Sequence, residues 1–141
     1  MSQSNWEVIS DAPYFSNCVN NQSIEAKVIS VYDGDTIKAL FPLNGVMYKW
    51  NCRLVGIDTP EIRTRNLKEK EFGYKVRDIL RSKILNKIVV LKCGQLDKYG
   101  RLLVTIEFND CNINNWLIEN NFAFSYDGGK KQSWSEYFDT L

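Results

Sequence analysis

Hydrophobic and polar residues alternate over much of the first 56 positions, which is typical of strands with one buried face. The pattern predicts three strands, over residues 24–32, 36–42 and 46–56. Asp33 and Gly34 mark a turn after the first strand. Asn44 and Gly45 separate the second strand from the third, and both residue types tolerate the positive φ of a type I′ hairpin turn. A three-stranded meander is therefore predicted.

The third predicted strand has an apolar face and a polar face. Its apolar positions are Val46, Tyr48, Trp50, Cys52 and Leu54. Its polar positions are Lys49, Asn51 and Arg53. In this register the Arg53 side chain lies on the face of the strand opposite the Leu54 side chain.

The spacing of apolar residues changes to a helical period between about residues 69 and 85. The positions that carry this period are Phe72, Val76, Ile79, Leu80 and Ile84. Two further strands are predicted over residues 87–96 and 101–108, and Gly100 between them can take a positive φ. Asn112 and Asn121 are predicted to begin and end a short helix. Trp134, Tyr137, Phe138 and Leu141 have the spacing of a last amphipathic helix.

The predicted elements follow the order of three strands, a helix, two strands and then helices. This order matches an α+β domain built on a five-stranded Greek-key barrel of the OB type. With 141 residues, the chain has the length of one domain. We place this domain at residues 23–141, after a polar arm at residues 1–22 that is rich in Asn and Ser.

The net charge of +1 hides an uneven distribution along the chain. Residues 61–87 carry nine Lys and Arg against four Asp and Glu, whereas residues 1–35 and 107–141 are both acidic. A basic region of this kind attracts a polyanion or forms the solvated face of a helix, and charge alone favours the second interpretation.

The four cysteines are widely separated, and the chain has no histidine that could complete a zinc site. Free buried thiols in a reducing compartment are therefore expected. The N-terminal residues lack the basic and apolar regions of a signal peptide, and no apolar run has the length of a membrane span. An intracellular monomer without a membrane partner is expected.

Four short segments bring together carboxylates, two arginines and tight turns. They are residues 32–36 (YDGDT), 53–61 (RLVGIDTPE), 97–101 (DKYGR) and 126–129 (YDGG). Oxygen ligands suit a hard divalent cation, and arginine forks match the oxygens of a phosphate. If the fold brings these segments together, they predict metal-assisted cleavage of a phosphodiester.

The chain resembles the staphylococcal nuclease (thermonuclease) family. The segments that carry the resemblance, by their order and spacing, are residues 31–36, 53–61 and 97–101. The similarity extends over roughly residues 24–138. The resemblance implies an OB-fold enzyme that hydrolyses DNA and RNA with calcium, prefers single strands and leaves 3′-phosphates. Magnesium or manganese are the alternative cations.

The resemblance also implies roles for individual residues. Asp35, Asp58 and the backbone carbonyl of Thr59 are the expected calcium ligands. Arg53 and Arg101 are the expected phosphate clamps, and Glu61 is the expected general base. The expected substrate-binding residues are Lys98, Tyr99 and Tyr126.

Other interpretations of these residues stay open. Asp33 either shapes a turn or supports the metal site, and the two tyrosines either stack on bases or pack within the protein. The rival function is an OB-fold module that binds nucleic acid or protein without cutting it. A structural protein that uses the C-terminal aromatic residues is a weaker rival.

Overall fold

The computed structural model describes residues 6–141, so the part of the predicted arm at residues 1–5 lies outside the described residues. The strands are β1 (Ser23–Asp33), β2 (Thr36–Leu43), β3 (Val46–Leu54), β4 (Ile57–Asp58), β5 (Ile88–Leu96), β6 (Leu102–Phe108), β7 (Cys111–Asn112) and β8 (Phe124–Ser125). The helices are α1 (Leu67–Ile84), α2 (Ile113–Glu119), α3 (Trp134–Asp139) and one 3₁₀ turn, Phe15–Asn17.

Five long strands form a closed barrel in the order β3-β2-β1-β5-β6. Neighbouring strands are antiparallel, and a parallel pairing of β3 with β6 closes the barrel. Helix α1 lies between β3 and β5 in the chain, and two more helices follow the barrel. The predicted five-stranded OB-type barrel is therefore confirmed.

The barrel interior holds the inward-facing side chain of every second strand residue, as the sequence pattern predicted. Ile37, Leu91 and Leu102 are fully buried there. Helix α1 contributes Val76 and Leu80 to the same core. Full burial of such a side chain stabilises a fold by about 1.5–3 kcal/mol, so this core supports the strands whose ends carry the candidate residues.

The predicted turns have the predicted geometry. Asn44 and Gly45 both have positive φ, of 51° and 80°. Gly100 has a φ of 80° between β5 and β6. The hairpin of β2 and β3 extends beyond the core, which leaves Val46 and Tyr48 about half exposed, at 50% and 49%.

Several predicted boundaries differ from the structure by one or two residues. The last helix ends at Asp139, so Leu141 lies outside it and is exposed. The differences at β3 and α1 have a local cause. Strand β3 ends at Leu54 and not at residue 56, because Gly56 has a φ of 78° and turns the chain into β4. Helix α1 begins at Leu67 and not near residue 69, because the Asn66 side chain accepts a hydrogen bond from the Glu69 N–H and caps the helix.

The C-terminal segments cover one side of the barrel. Asn112 caps α2 as predicted, and Asn121 has the left-handed φ of 63° after it. Trp134 is buried and stacks on Phe124, with 4.0 Å between ring centroids. No helix within residues 6–141 has the length and apolar character needed to span a bilayer.

The segment before β1 lies against the barrel. Val19 is buried in the core, and the Asn21 N–H donates to the Cys93 carbonyl. All four cysteines are free thiols, as expected, and Cys52 and Cys93 are buried. Burial raises the pKa of the Cys52 thiol to about 12, so this group stays protonated and acts as an apolar side chain.

Candidate active site

The turn between β1 and β2 places Asp35 at one end of the barrel. The Asp33 carboxylate accepts a hydrogen bond from the Asp35 N–H at 3.1 Å, and the Thr36 hydroxyl donates to the Asp35 carboxylate at 3.0 Å. Asp33 therefore shapes the turn that carries Asp35, which is one of the two roles that the sequence left open for it. Gly34 is required here, because a Cβ would lie 2.7 Å from Val76 Cγ1 and 2.8 Å from Thr59 Cγ2.

Asp58 and Thr59 lie at the end of β4, where both residues are buried. Strand β4 is fixed by its pairing with β8, in which Asp58 is opposite Phe124. Burial raises the pKa of the Asp58 carboxyl, and the negative charge of Asp35 raises it further. The two carboxylates predicted as metal ligands are thus close enough to repel each other.

Arg53 lies beside this acidic pair at the end of β3. Its guanidinium donates to the carbonyls of Leu54 and Ile57 and lies 3.4 Å from Asp35 Oδ2. The side chain is only 12% exposed. The two carbonyls fix the plane of the guanidinium, so that its position does not depend on a bound ligand.

Arg101 enters the same region from the start of β6. Strand β6 pairs with β3 so that Leu103 is opposite Arg53, and this places Arg101, the residue before β6, close to the end of β3. Both arginines line a cleft of about 390 Å³ together with Tyr126. The structure therefore brings both predicted phosphate clamps to one cleft.

Glu61 lies on the loop that joins β4 to α1. Gly73 lets α1 approach this loop closely, because a Cβ at Gly73 would lie 3.0 Å from the carbonyl oxygens of Pro60 and Glu61. The Glu69 carboxylate accepts a hydrogen bond from the Glu61 N–H at 2.8 Å. Partial burial and the charge of Asp35 raise the pKa of the Glu61 carboxyl.

The site concentrates negative charge. Burial, followed by the charge of Asp35, raises the pKa of Asp33 to about 7. Asp35, Asp58 and Glu61 lie in the same electrostatic neighbourhood. Crowded carboxylates in a partly buried site are stabilised by a bound cation.

The donor chemistry of the site fits a hard divalent cation. Asp35 and Asp58 offer carboxylate oxygens, and Thr59 is buried directly beside Asp58. Within residues 6–141, no three Asp, Glu, Cys or His side chains form a group that could hold a metal ion. Two carboxylates would therefore need backbone or water oxygens to complete the shell, and calcium accepts both.

Lys98 and Tyr99 lie at the edge of the site, on the turn before Arg101. Tyr99 is 71% exposed, and its ring faces the Arg101 guanidinium at 5.5 Å. Tyr126 is half-buried, and its N–H donates to the Gly56 carbonyl. Lys98 Nζ lies over the Tyr99 ring, 5.1 Å from its centroid, and Tyr126 forms part of the wall of the cleft.

Sequence reasoning missed three residues that contact the site. Lys131 pairs with Asp58, Glu69 holds the backbone of Glu61, and Asp97 holds Arg101. Asp97 could have been found, because it precedes Arg101 by four residues within a single motif. Lys131 follows two glycines in a polar segment, and no periodicity singles it out.

Comparison with known proteins identifies relatives along most of the chain. An uncharacterized protein from Methanocaldococcus jannaschii is 31% identical, in a match that covers 80% of this chain and 64% of the relative. An uncharacterized endonuclease from Escherichia coli is 31% identical over 105 residues, which cover 74% of this chain and 62% of the relative. A thermonuclease from Staphylococcus hyicus is 30% identical over 114 residues, which cover 79% of this chain and 65% of the relative.

The matches span less than two thirds of the length of each of these three relatives. A family model described as staphylococcal nuclease homologue matches residues 51–139, which include Arg53, Asp58, Glu61 and Arg101. Because that match covers more than half of the chain, the chain belongs to the staphylococcal nuclease homologue family.

Proposed function

We propose that the chain is a calcium-dependent nuclease that hydrolyses phosphodiester bonds of DNA and RNA. The observation that carries the proposal is the convergence of Arg53 and Arg101 on one cleft, beside the acidic pair of Asp35 and Asp58. Such an arrangement offers donors to the nonbridging oxygens of a phosphate and oxygen ligands to a cation. Relatives named as endonuclease and thermonuclease support this function.

The chain's own residues account for binding of the phosphate. The guanidiniums of Arg53 and Arg101 donate to its oxygens and stabilise the negative charge that grows there when water attacks phosphorus. Because Arg53 is already held by two carbonyls, it needs little reorganisation at that moment. Asp35, Asp58 and the Thr59 carbonyl would hold a calcium ion beside Arg53, and that ion would supply further positive charge.

Glu61 is the proposed general base. It accepts a proton from the attacking water while the new P–O bond forms. The bond from phosphorus to the 5′-oxygen breaks, its electron pair stays on that oxygen, and a proton from solvent completes the alcohol. The other product is a 3′-phosphate.

The cleft favours single strands in this proposal. Tyr99 and Tyr126 offer aromatic faces beside the two arginines, and stacking of a base on such a face contributes about 1–3 kcal/mol. An unpaired base can reach these faces, whereas a base inside a duplex must first leave its stack.

The test is cleavage of denatured DNA by the full chain with calcium, and with a chelator as control. Glu61→Gln is expected to lower kcat about 10²–10⁴-fold, the usual contribution of general-base catalysis, and to change KM less. Glu71→Gln, the same change at an exposed residue of α1, is the matched control and is expected to retain activity.

Failure of the folded protein to cut DNA or RNA with calcium, magnesium or manganese would exclude the enzyme. Binding of single strands without cutting would then support the rival function, a binding module. Thermal unfolding of each variant shows whether a loss of activity reflects a loss of fold.

A further inference from the structure

A lysine from the C-terminal segment lies against the candidate metal site. Lys131 Nζ is 3.4 Å from Asp58 Oδ1. The Asp58 side chain is 4% exposed, whereas the Lys131 side chain is 48% exposed. The pair therefore joins a buried carboxylate, fixed in place by β4, to an ammonium that still reaches water.

The backbone of the C-terminal segment turns so that Lys131 reaches Asp58. The Tyr126 N–H is tied to the Gly56 carbonyl, and the Asp127 carboxylate accepts a hydrogen bond from the Gly129 N–H. Gly128 has a φ of 96°, which a residue with a side chain rarely adopts. The chain doubles back at this turn, and Lys131 Nζ lies 5.5 Å from the centroid of the Tyr126 ring.

The ammonium and a divalent cation would compete for the same carboxylate. An ammonium that lies against Asp58 Oδ1 opposes the close approach of a cation to that oxygen, because the two positive charges repel each other in a partly buried site. Arg53, by contrast, is anchored by two backbone carbonyls and faces Asp35. Lys131 has a flexible stem and an exposed path, so it is the group that can leave.

We propose that Lys131 sets the affinity of the site for a divalent cation, by acting as a resident ammonium on Asp58 that the cation must displace. The inference rests on the proposed function, because it takes Asp58 as a cation ligand. In this proposal a residue of the C-terminal segment helps to set the free calcium concentration at which the site is half occupied.

The test is direct titration of the full chain, stripped of metal, with calcium chloride in a calorimeter. Lys131→Met is expected to bind calcium about 3- to 10-fold more tightly than the unchanged protein, since an ion pair that must open no longer opposes binding. Lys130→Met removes the same charge one residue earlier and is the matched control, with an expected change below about twofold.

Equal affinities of the Lys131→Met and Lys130→Met proteins would overturn the inference, as would weaker binding by Lys131→Met. Lys131→Gln carries the same expectation and replaces Lys131→Met if thermal unfolding in chelator shows that the methionine variant is unfolded. The readout is binding, so it does not depend on turnover.

Parallel cleavage assays separate this inference from the proposed function. The unchanged protein could cut DNA in a calcium-dependent way while the two methionine variants bind calcium with equal affinity. That result would overturn the inference about Lys131 and leave the proposed function standing. If the unchanged protein and the Lys131→Met variant bind no calcium and cut nothing, the inference and the proposed function both fail.

Discussion

Asp97 connects the turn between β5 and β6 to the candidate phosphate clamp. Its Oδ1 accepts hydrogen bonds from the N–H groups of Tyr99 and Arg101, both at 2.9 Å. Its Oδ2 accepts from Arg101 Nε at 2.8 Å. Partial burial raises the pKa of the Asp97 carboxyl, but the hydrogen bonds and the charge of Arg101 outweigh it and hold the pKa below the usual value.

This lowered pKa predicts how stability depends on pH. A carboxyl whose pKa is lower in the folded state stabilises the fold above its unfolded pKa of about 3.8, and that contribution disappears as the pH falls through the folded pKa. Asp97→Asn is therefore expected to lower the free energy of unfolding at pH 7 and to do so progressively less below pH 3.8. Urea unfolding at a series of pH values measures this difference.

The matched control for this prediction is Asp110→Asn, at an exposed position in the turn between β6 and β7. It is expected to change the free energy of unfolding little at any pH. A difference between Asp97→Asn and the unchanged protein that stays constant from pH 7 to the acid limit would contradict the ionic role of Asp97.

Helix α1 positions the loop that carries Glu61. In a capping box, the Glu at the third helical position bonds back to the N-cap residue. Glu69 holds this position, but its carboxylate accepts a hydrogen bond from the Glu61 N–H, and the Asn66 N–H donates to the Thr64 hydroxyl. The first turn of the helix thereby fixes the backbone of the candidate base.

Loss of this hydrogen bond should affect turnover more than binding. Glu69→Ala is expected to lower kcat on the order of 10- to 100-fold, because a small displacement of a catalytic group costs rate, and to change KM less. Glu69→Gln keeps an oxygen that can accept the hydrogen bond and is expected to retain most of the activity. Steady-state kinetics on denatured DNA distinguishes the two variants, and equal losses in both would contradict a positioning role.

The sequence predicted the long elements because each has a sustained period. The strands and helices of the barrel were placed within a few residues of their observed ends. The two-residue strands β4, β7 and β8 were missed, because a segment of that length contains no repeat. Gly56 ended β3 earlier than predicted, since its left-handed backbone turns the chain and hydrophobicity gives no sign of it.

The candidate site was predictable only where its residues lie within motifs. Asp35, Arg53, Asp58 and Arg101 come together as the motifs suggested. Lys131 was not found, because its approach to Asp58 depends on a turn formed by residues 127–129 and on a tertiary contact. A pair of adjacent lysines in a polar segment gives no local sign of which one makes such a contact.

At the scale of the whole molecule, the attraction to nucleic acid that the proposed function requires must be local. The chain has 18 Lys and Arg against 17 Asp and Glu, so its overall field is weak. Arg53 and Arg101 are the proposed phosphate clamps, and we expect Lys98, a predicted substrate-binding residue, to be a third phosphate contact. A small salt dependence of binding is expected for so few contacts.

This expectation can be measured as the slope of the logarithm of apparent affinity for single-stranded DNA against the logarithm of salt concentration. Each phosphate contact contributes about −0.7 to that slope, so a slope of about −2 is expected for three contacts. Lys98→Met should reduce its magnitude by about 0.7. Lys27→Met, at an exposed position on β1, is the control, and an equal effect of both variants would contradict a contact at Lys98.

The pairing of β4 with β8 has a consequence for the order of events during synthesis. Arg53, Asp58, Glu61 and Arg101 all leave the ribosome before residues 124–125, which form the strand opposite Asp58. A partly made chain therefore already contains the motif residues, while β4, the strand that carries Asp58, still lacks its partner β8. The acidic side of the candidate site is thus completed only after residues 124–125 have been made and have paired with β4.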